Sequence, residues 1–199
     1  MKPFLTIIIL LSIFSIRSNC QTKYSAPEGY NILKNSQKNP YRLDADLDND
    51  GINDLVIVYA KNNSEDDNMV SFYLSTKRNN SRPFHSFPFN SSTYQLKMEN
   101  KVVTIGGCID TSYCRSLKFK FFPALKNLRL IGYEEKNLGS GNKENAYLKS
   151  ANMIAQKFEL SGPLWKKKII EKTHFSIIML SEINEATLQI FETMGFKYF

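Results

Sequence analysis

The chain has 199 residues, 26 Lys+Arg against 19 Asp+Glu, and a formal net charge of +7. That length can bury a single core. No segment repeats and no Pro-, Gly- or Ser-rich linker divides the chain, which argues against a solenoid or a multi-blade propeller.

The first element is MKPFLTIIILLSIFSIRSNCQ, where Lys2 precedes an apolar run from Phe4 to Leu11 that continues, slightly mixed, to Ile16. It is shorter than the ~20 residues of a membrane-spanning helix, and small polar residues follow it. The pattern predicts a signal peptide over 1–20 and a single domain over 21–199; a retained N-terminal anchor is the alternative. Two cleavages fit. One falls before Gln21, with Ser18 and Cys20 as the small residues, and gives a soluble product. The other falls before Cys20 and leaves that cysteine to carry lipid, although Arg17 and Asn19 make a poor lipobox. The expected location is periplasmic, cell-surface or extracellular. Loss of Lys2 and Arg17 lowers the charge by 2, from +7 to +5, so the body stays basic.

Next comes DADLDNDGINDLVIVYA, Asp44 to Ala60, a crowd of carboxylates directly before an apolar run. A hard cation needs several oxygen ligands, and a loop supplies them by alternating carboxylates with spacers and then folding back. Asp46, Asp48 and Asp50 stand at relative positions 1, 3 and 5, and Gly51 provides the turn at position 6. The Ile52 carbonyl follows at position 7, and Asp54 returns a carboxylate at position 9. The twelfth position is Ile57 rather than the bidentate Glu of an EF-hand, so no exiting helix is expected. Calcium suits numerous, flexibly supplied oxygens better than magnesium, which keeps several waters. Asp44 precedes the series and is not assigned as a ligand. The competing reading is a solvated acidic turn with no ion.

Beyond the loop, LVIVYA reads as a strand buried on both faces. KNNSEDDN is a solvated loop, MVSFYLS a second strand, and TKRNNSRPFHSFPFNSS is too rich in Asn, Ser and Pro for regular structure. YQLKM and VVTIG flank Glu99-Asn100-Lys101, a hairpin signal. LKFKFF alternates, putting Leu117, Phe119 and Phe121 on one strand face and Lys118 and Lys120 in water. LRLIGY is its partner across a turn at Pro123 to Asn127. NAYLKSANMIAQKFEL fits helix (Tyr147, Ala151, Ile154, Phe158) about as well as strand. SGP at Ser161 to Pro163 is a turn, and WKKKIIEKTHF suits a strand in a hairpin. INEATLQIFETMG is the one clear helix, with Asn184 as its cap and Ile183, Leu188 and Phe191 as its apolar face. These elements make a mainly β (α+β) fold, an antiparallel sheet domain with a C-terminal helix.

In an exported chain, GGCIDTSYC places Cys108 and Cys114 where an offset of six closes a disulfide across a hairpin or loop end. Two buried free thiols are the alternative, and zinc lacks a histidine nearby. His85 and His174 have no Cys or acidic partner at ligand spacing and read as packed or solvated. Gly106-Gly107 reads as a bulge or strand end, Lys166 to Lys168 as hydrated edge charges, and Trp165 as packing. No nucleophile elbow, P-loop or H-E-x-x-H motif occurs.

The arrangement D-x-D-x-D-G-x-x-D-L over Asp46 to Leu55 resembles the calcium loop of FG-GAP and VCBS repeats, found in propeller blades and exported bacterial proteins. The resemblance implies calcium ligation by Asp46, Asp48, Asp50, Asp54 and the Ile52 carbonyl. Those families carry several copies, and this chain carries one. The order of acidic loop, strand, GG-C segment, LIGY strand and SANM segment also resembles small exported Bacteroidetes proteins of unassigned activity, and it tips NAYLKSANMIAQKFEL toward strand. The expected function is an exported, calcium-stabilised, non-enzymatic binding or envelope-associated module, with a protein or envelope component and not nucleic acid as partner. The rival classes are a metal-dependent hydrolase using the Asp cluster and an inhibitor or immunity-type protein.

Overall fold

The computed structural model describes residues 26–62, 64, 67–75, 82–139 and 142–198. The expected signal peptide and Cys20 lie outside these residues. Among these residues two antiparallel sheets and one C-terminal α-helix make up the fold.

The five-stranded sheet contains β1 (Tyr30–Ile32), β2 (Arg42–Ala45), β3 (Asp54–Lys61), β4 (Asn68–Tyr73) and β5 (His85–Pro88). Its order is β1-β3-β4-β5, with β2 pairing β3 as well. β3 is buried on both faces, as its unbroken apolar run predicts: Val56 and Val58 join the main core, while Leu55, Ile57 and Tyr59 form a second cluster with Tyr73. The segment expected to be irregular holds β5, where Phe87 pairs Val70 and Ser86 pairs Ser71. Pro88 is tolerated because β5 is an edge strand and needs no second ladder.

The seven-stranded sheet is a meander of β6 (Thr93–Glu99), β7 (Val102–Cys108), β8 (Tyr113–Phe122), β9 (Asn127–Asn137), β10 (Tyr147–Asn152), β11 (Lys157–Ser161) and β12 (Ile169–Lys172). Asn100 and Lys101 turn the β6–β7 hairpin with φ of 50° and 61°, the left-handed conformation that a tight turn demands. A register shift between Lys118 and Phe119 leaves Ile131 as the extra residue of β9, so the inward positions pass from Leu128 and Leu130 to Tyr133 and Glu135. The ambiguous NAYLKSANMIAQKFEL is a hairpin and not a helix. Asn152 accepts the backbone N–H groups of Ile154 and Ala155, and Gln156 takes φ 52°, so the chain reverses where a helix would continue.

The five-stranded sheet covers the β6–β9 part of the meander; Phe72 meets Phe119 edge to face at 5.7 Å. Helix α1 (Glu185–Thr193) covers the neighbouring part of the same face, stacking Phe191 on Tyr133 at 5.3 Å. Asn184 caps it by accepting the Thr187 N–H, worth about 1 kcal/mol. Among the described residues no strand or helix covers the opposite face of the seven-stranded sheet.

Cys108 and Cys114 are opposite one another across β7 and β8, with their sulfurs joined in a disulfide. Gly106 and Gly107 keep regular register at the end of β7. A Cβ on Gly107 would lie 2.2 Å from Ser91 Oγ, so a close approach explains that glycine. Trp165 packs against the main core.

Candidate metal centre

The acidic loop joins β2 to β3, and the pairing of Ala45 with Asp54 brings its two ends together. Inside it, Asp46 accepts the N–H groups of Asp50 at 3.1 Å and Gly51 at 3.0 Å. Asp50 accepts the Ile52 N–H at 2.7 Å and the Ser75 hydroxyl at 2.5 Å. Gly51 at φ +83° and Asn49 at φ 61° make the reversal. Glycine and asparagine adopt this conformation at least cost.

One carboxylate oxygen from each of Asp46, Asp48 and Asp50 lies within 4.8 Å of the others, and Asp48 is buried. Like charges about 4 Å apart repel by about 1 kcal/mol per pair even in bulk water, and by more beside a protein. A divalent cation reverses that sign, and the donor set is all oxygen, which suits a hard ion.

Ile52 is exposed at the loop tip, 54% accessible. Asp54, the first residue of β3, is buried and stands apart from the three convergent carboxylates. One of its oxygens accepts the Leu47 N–H at 2.7 Å and the other the Ser75 N–H at 2.6 Å. Burial pushes its pKa up to about 6; the Ser75 and Leu47 amides oppose the rise and the Asp48 charge adds to it. Asp54 therefore ties the loop to the residues after β4. Asp44 accepts from Arg42 at both its oxygens and is not among the convergent carboxylates.

A second polar cluster escaped sequence reasoning. Glu135 and Lys149 are buried and ion-paired, and Glu135 also accepts the hydroxyls of Tyr133 and Tyr147. The signal was present as charged residues at inward strand positions, but parity along β9 could not be read across its bulge. With both side chains nearly inaccessible, no substrate reaches this cluster. His85 stacks on Phe87 and reaches the Ile183 carbonyl, a packing role.

A hollow of about 330 Å³ beside α1 is lined by Arg115, Asp67, Asn90, Glu185 and Glu192. Its guanidinium is already engaged by Glu192 and the Asn90 carbonyl. Among the described residues no helix is long and apolar enough to cross a membrane. In comparisons with protein-family models, curated proteins and solved structures, nothing matches this chain.

Proposed function

We propose that this is an exported β-domain whose Asp46–Asp54 loop binds calcium, and that it serves as a non-enzymatic binding or envelope-associated module. The observation that carries the reading is the convergence of Asp46, Asp48 and Asp50 in a loop that feeds β3, a strand buried on both faces. The ion neutralises that charge and fixes the entry of β3. The Ile52 carbonyl and Asp54 would complete the ligand set if the three carboxylates closed on Asp54, whose oxygens are held by the Leu47 and Ser75 amides. A hydrolytic ion would need an open position and a neighbouring acid or base, and neither histidine lies in the loop.

Calorimetric scans in calcium, magnesium and chelator test it. A ligand held only by the folded state at about 100 times its Kd adds ~2.7 kcal/mol. For a chain of this length that raises the midpoint by roughly 5–10 °C. Asp46→Ala or Asp50→Ala removes the calcium response and leaves the chelated protein folded. Identical wild-type midpoints in all three buffers would overturn the reading. Intact mass of protein from its native envelope tests export: an N-terminal Gln21 means a soluble product, acyl mass on Cys20 an anchored one, and recovery of Met1 would remove the export half.

A further inference from the structure

The face of the seven-stranded sheet turned away from the core is a two-dimensional field of cations. Strand register places Lys97, Lys118, Lys157 and Lys172 in one row running from β6 to β12. Six strand steps at about 4.8 Å make that row ~29 Å long. Lys120 and Arg129 are partners in the next row, and Lys136 lies on the other side, opposite Cys114. Seven cations stand against Glu99, Glu134 and Glu159 at outward strand positions, so the face carries 7 − 3 = +4.

The three acids are spent on lysines: Glu99 on Lys97, Glu134 on Lys118, and Glu159 on both Lys157 and Lys168, the latter from the segment just before β12. Lys120, Lys136 and Lys172 are exposed and have no carboxylate partner among the described residues. At the centre of the field, Gly132 interrupts the lysine row and floors a hollow of about 220 Å³ bounded by Lys118, Ile131, Ser150 and Ile154. Ile154, Leu148 and Ile170, each about half exposed, stand on the same side.

A groove-bound strand of nucleic acid needs cations in file and aromatic rings for stacking. Four of the cations here stand in file and three lie to either side of it, but no aromatic row accompanies them: among the described residues the outward strand positions hold one aromatic ring, Phe122, and it lies beneath Arg129. A bilayer leaflet offers the complement: fixed anionic headgroups in a plane, with apolar carbon just below them for aliphatic side chains.

We propose that this face docks the protein on an anionic phospholipid leaflet, a proposal that rests on the envelope reading and names the partner. Cosedimentation of the full chain with phosphatidylcholine vesicles, with and without phosphatidylglycerol, tests it. The apolar N-terminal stretch is common to every arm, so the readout is the ratio of binding to anionic over neutral vesicles. The wild type should show a ratio of about ten or more, falling toward one between about 50 mM and about 500 mM salt. Lys120→Glu with Lys136→Glu and Lys172→Glu should bring it near one at low salt. Lys34→Glu with Lys38→Glu and Arg82→Glu, the same change in net charge made on segments of the five-stranded sheet, should keep most of it. A wild-type ratio near one, or equal loss in both triple variants, overturns the proposal. Asp50→Ala should keep the ratio while losing the calcium response, so failure here and failure of the calcium reading are separate results.

Discussion

Lys149 Nζ lies 2.7 Å from Glu135 Oε2 in the layer between the seven-stranded sheet and helix α1, and it also donates to the Glu192 carbonyl at 2.8 Å. One ammonium thus ties two adjacent strands to the last turn of the helix, where carbonyls lack partners and the helix dipole favours positive charge. Burial holds the Lys149 pKa below its ordinary value against the opposing pull of Glu135.

Removing either partner should be costly, because it leaves the other buried alone. Lys149→Met or Glu135→Gln should each destabilise by about 3–5 kcal/mol. The double variant should cost clearly less than the two singles combined, since no stranded charge remains. Urea denaturation of the four proteins measures this, and additive losses would mean that the pair is not coupled.

Alkali should unfold the protein from its tyrosines. Burial raises the pKa of Tyr59, Tyr94, Tyr133 and Tyr147, and that of Tyr113 to about 12, where the Glu135 charge adds to it. Between pH 10 and about 12 the unfolded chain has released protons that the folded chain keeps, so stability falls as pH rises. Lys149 acts oppositely, because its lowered folded pKa favours the folded state as pH approaches 10.5. One lysine does not offset five tyrosines. Absorbance titration should show about half of the ten tyrosines ionising only with loss of the β-sheet circular dichroism signal; ten ionising smoothly before unfolding would contradict the burial.

Cys108 and Cys114 should resist alkylation under denaturing, non-reducing conditions and label after reduction. The loop they close is short, so the chain-entropy model assigns about 2 kcal/mol to the bond. Reduced protein should therefore remain folded at room temperature with a lowered midpoint. Quantitative labelling before reduction would mean that the thiols are free.

The two neighbouring glycines of β7 should differ sharply. At Gly107 a methyl group meets Ser91 Oγ at 2.2 Å and the Phe89 ring at 3.1 Å, whereas at Gly106 nothing comes nearer than 3.7 Å. Gly107→Ala should cost about 1–3 kcal/mol through overpacking, and Gly106→Ala should be near neutral. Equal effects in thermal melts would show that the Ser91 contact yields freely.

Gly51→Ala separates backbone from charge in the acidic loop. Apart from its chain neighbours no residue comes within 4 Å of the added Cβ, so the penalty is its φ of +83° alone, about 1–2 kcal/mol. The three carboxylates stay in place, yet the calcium-induced rise in midpoint should shrink, because the fold-back that gathers them is strained. A full wild-type response would show that another residue makes the turn.

Local patterns along the chain determined much of this protein. Alternation in LKFKFF placed Leu117 and Phe119 inward, Asn100 marked a tight hairpin, Asn184 marked the helix start, and the Asp46–Asp50 spacing marked a loop that gathers carboxylates. Each signal is local, because side-chain parity and turn chemistry act over a few residues. The short strands β1 and β2 gave no such pattern, since they form only by pairing with β3. Tertiary structure decided the rest. The bulge at Ile131 shifted parity and turned Glu135 inward to meet Lys149. Tertiary contact with Leu47 and Ser75 gave Asp54 its amides. Register across seven strands assembled lysines from distant segments into one face. Those outcomes depend on which strands become neighbours, and the burial that selects neighbours is a property of the whole core rather than of any segment.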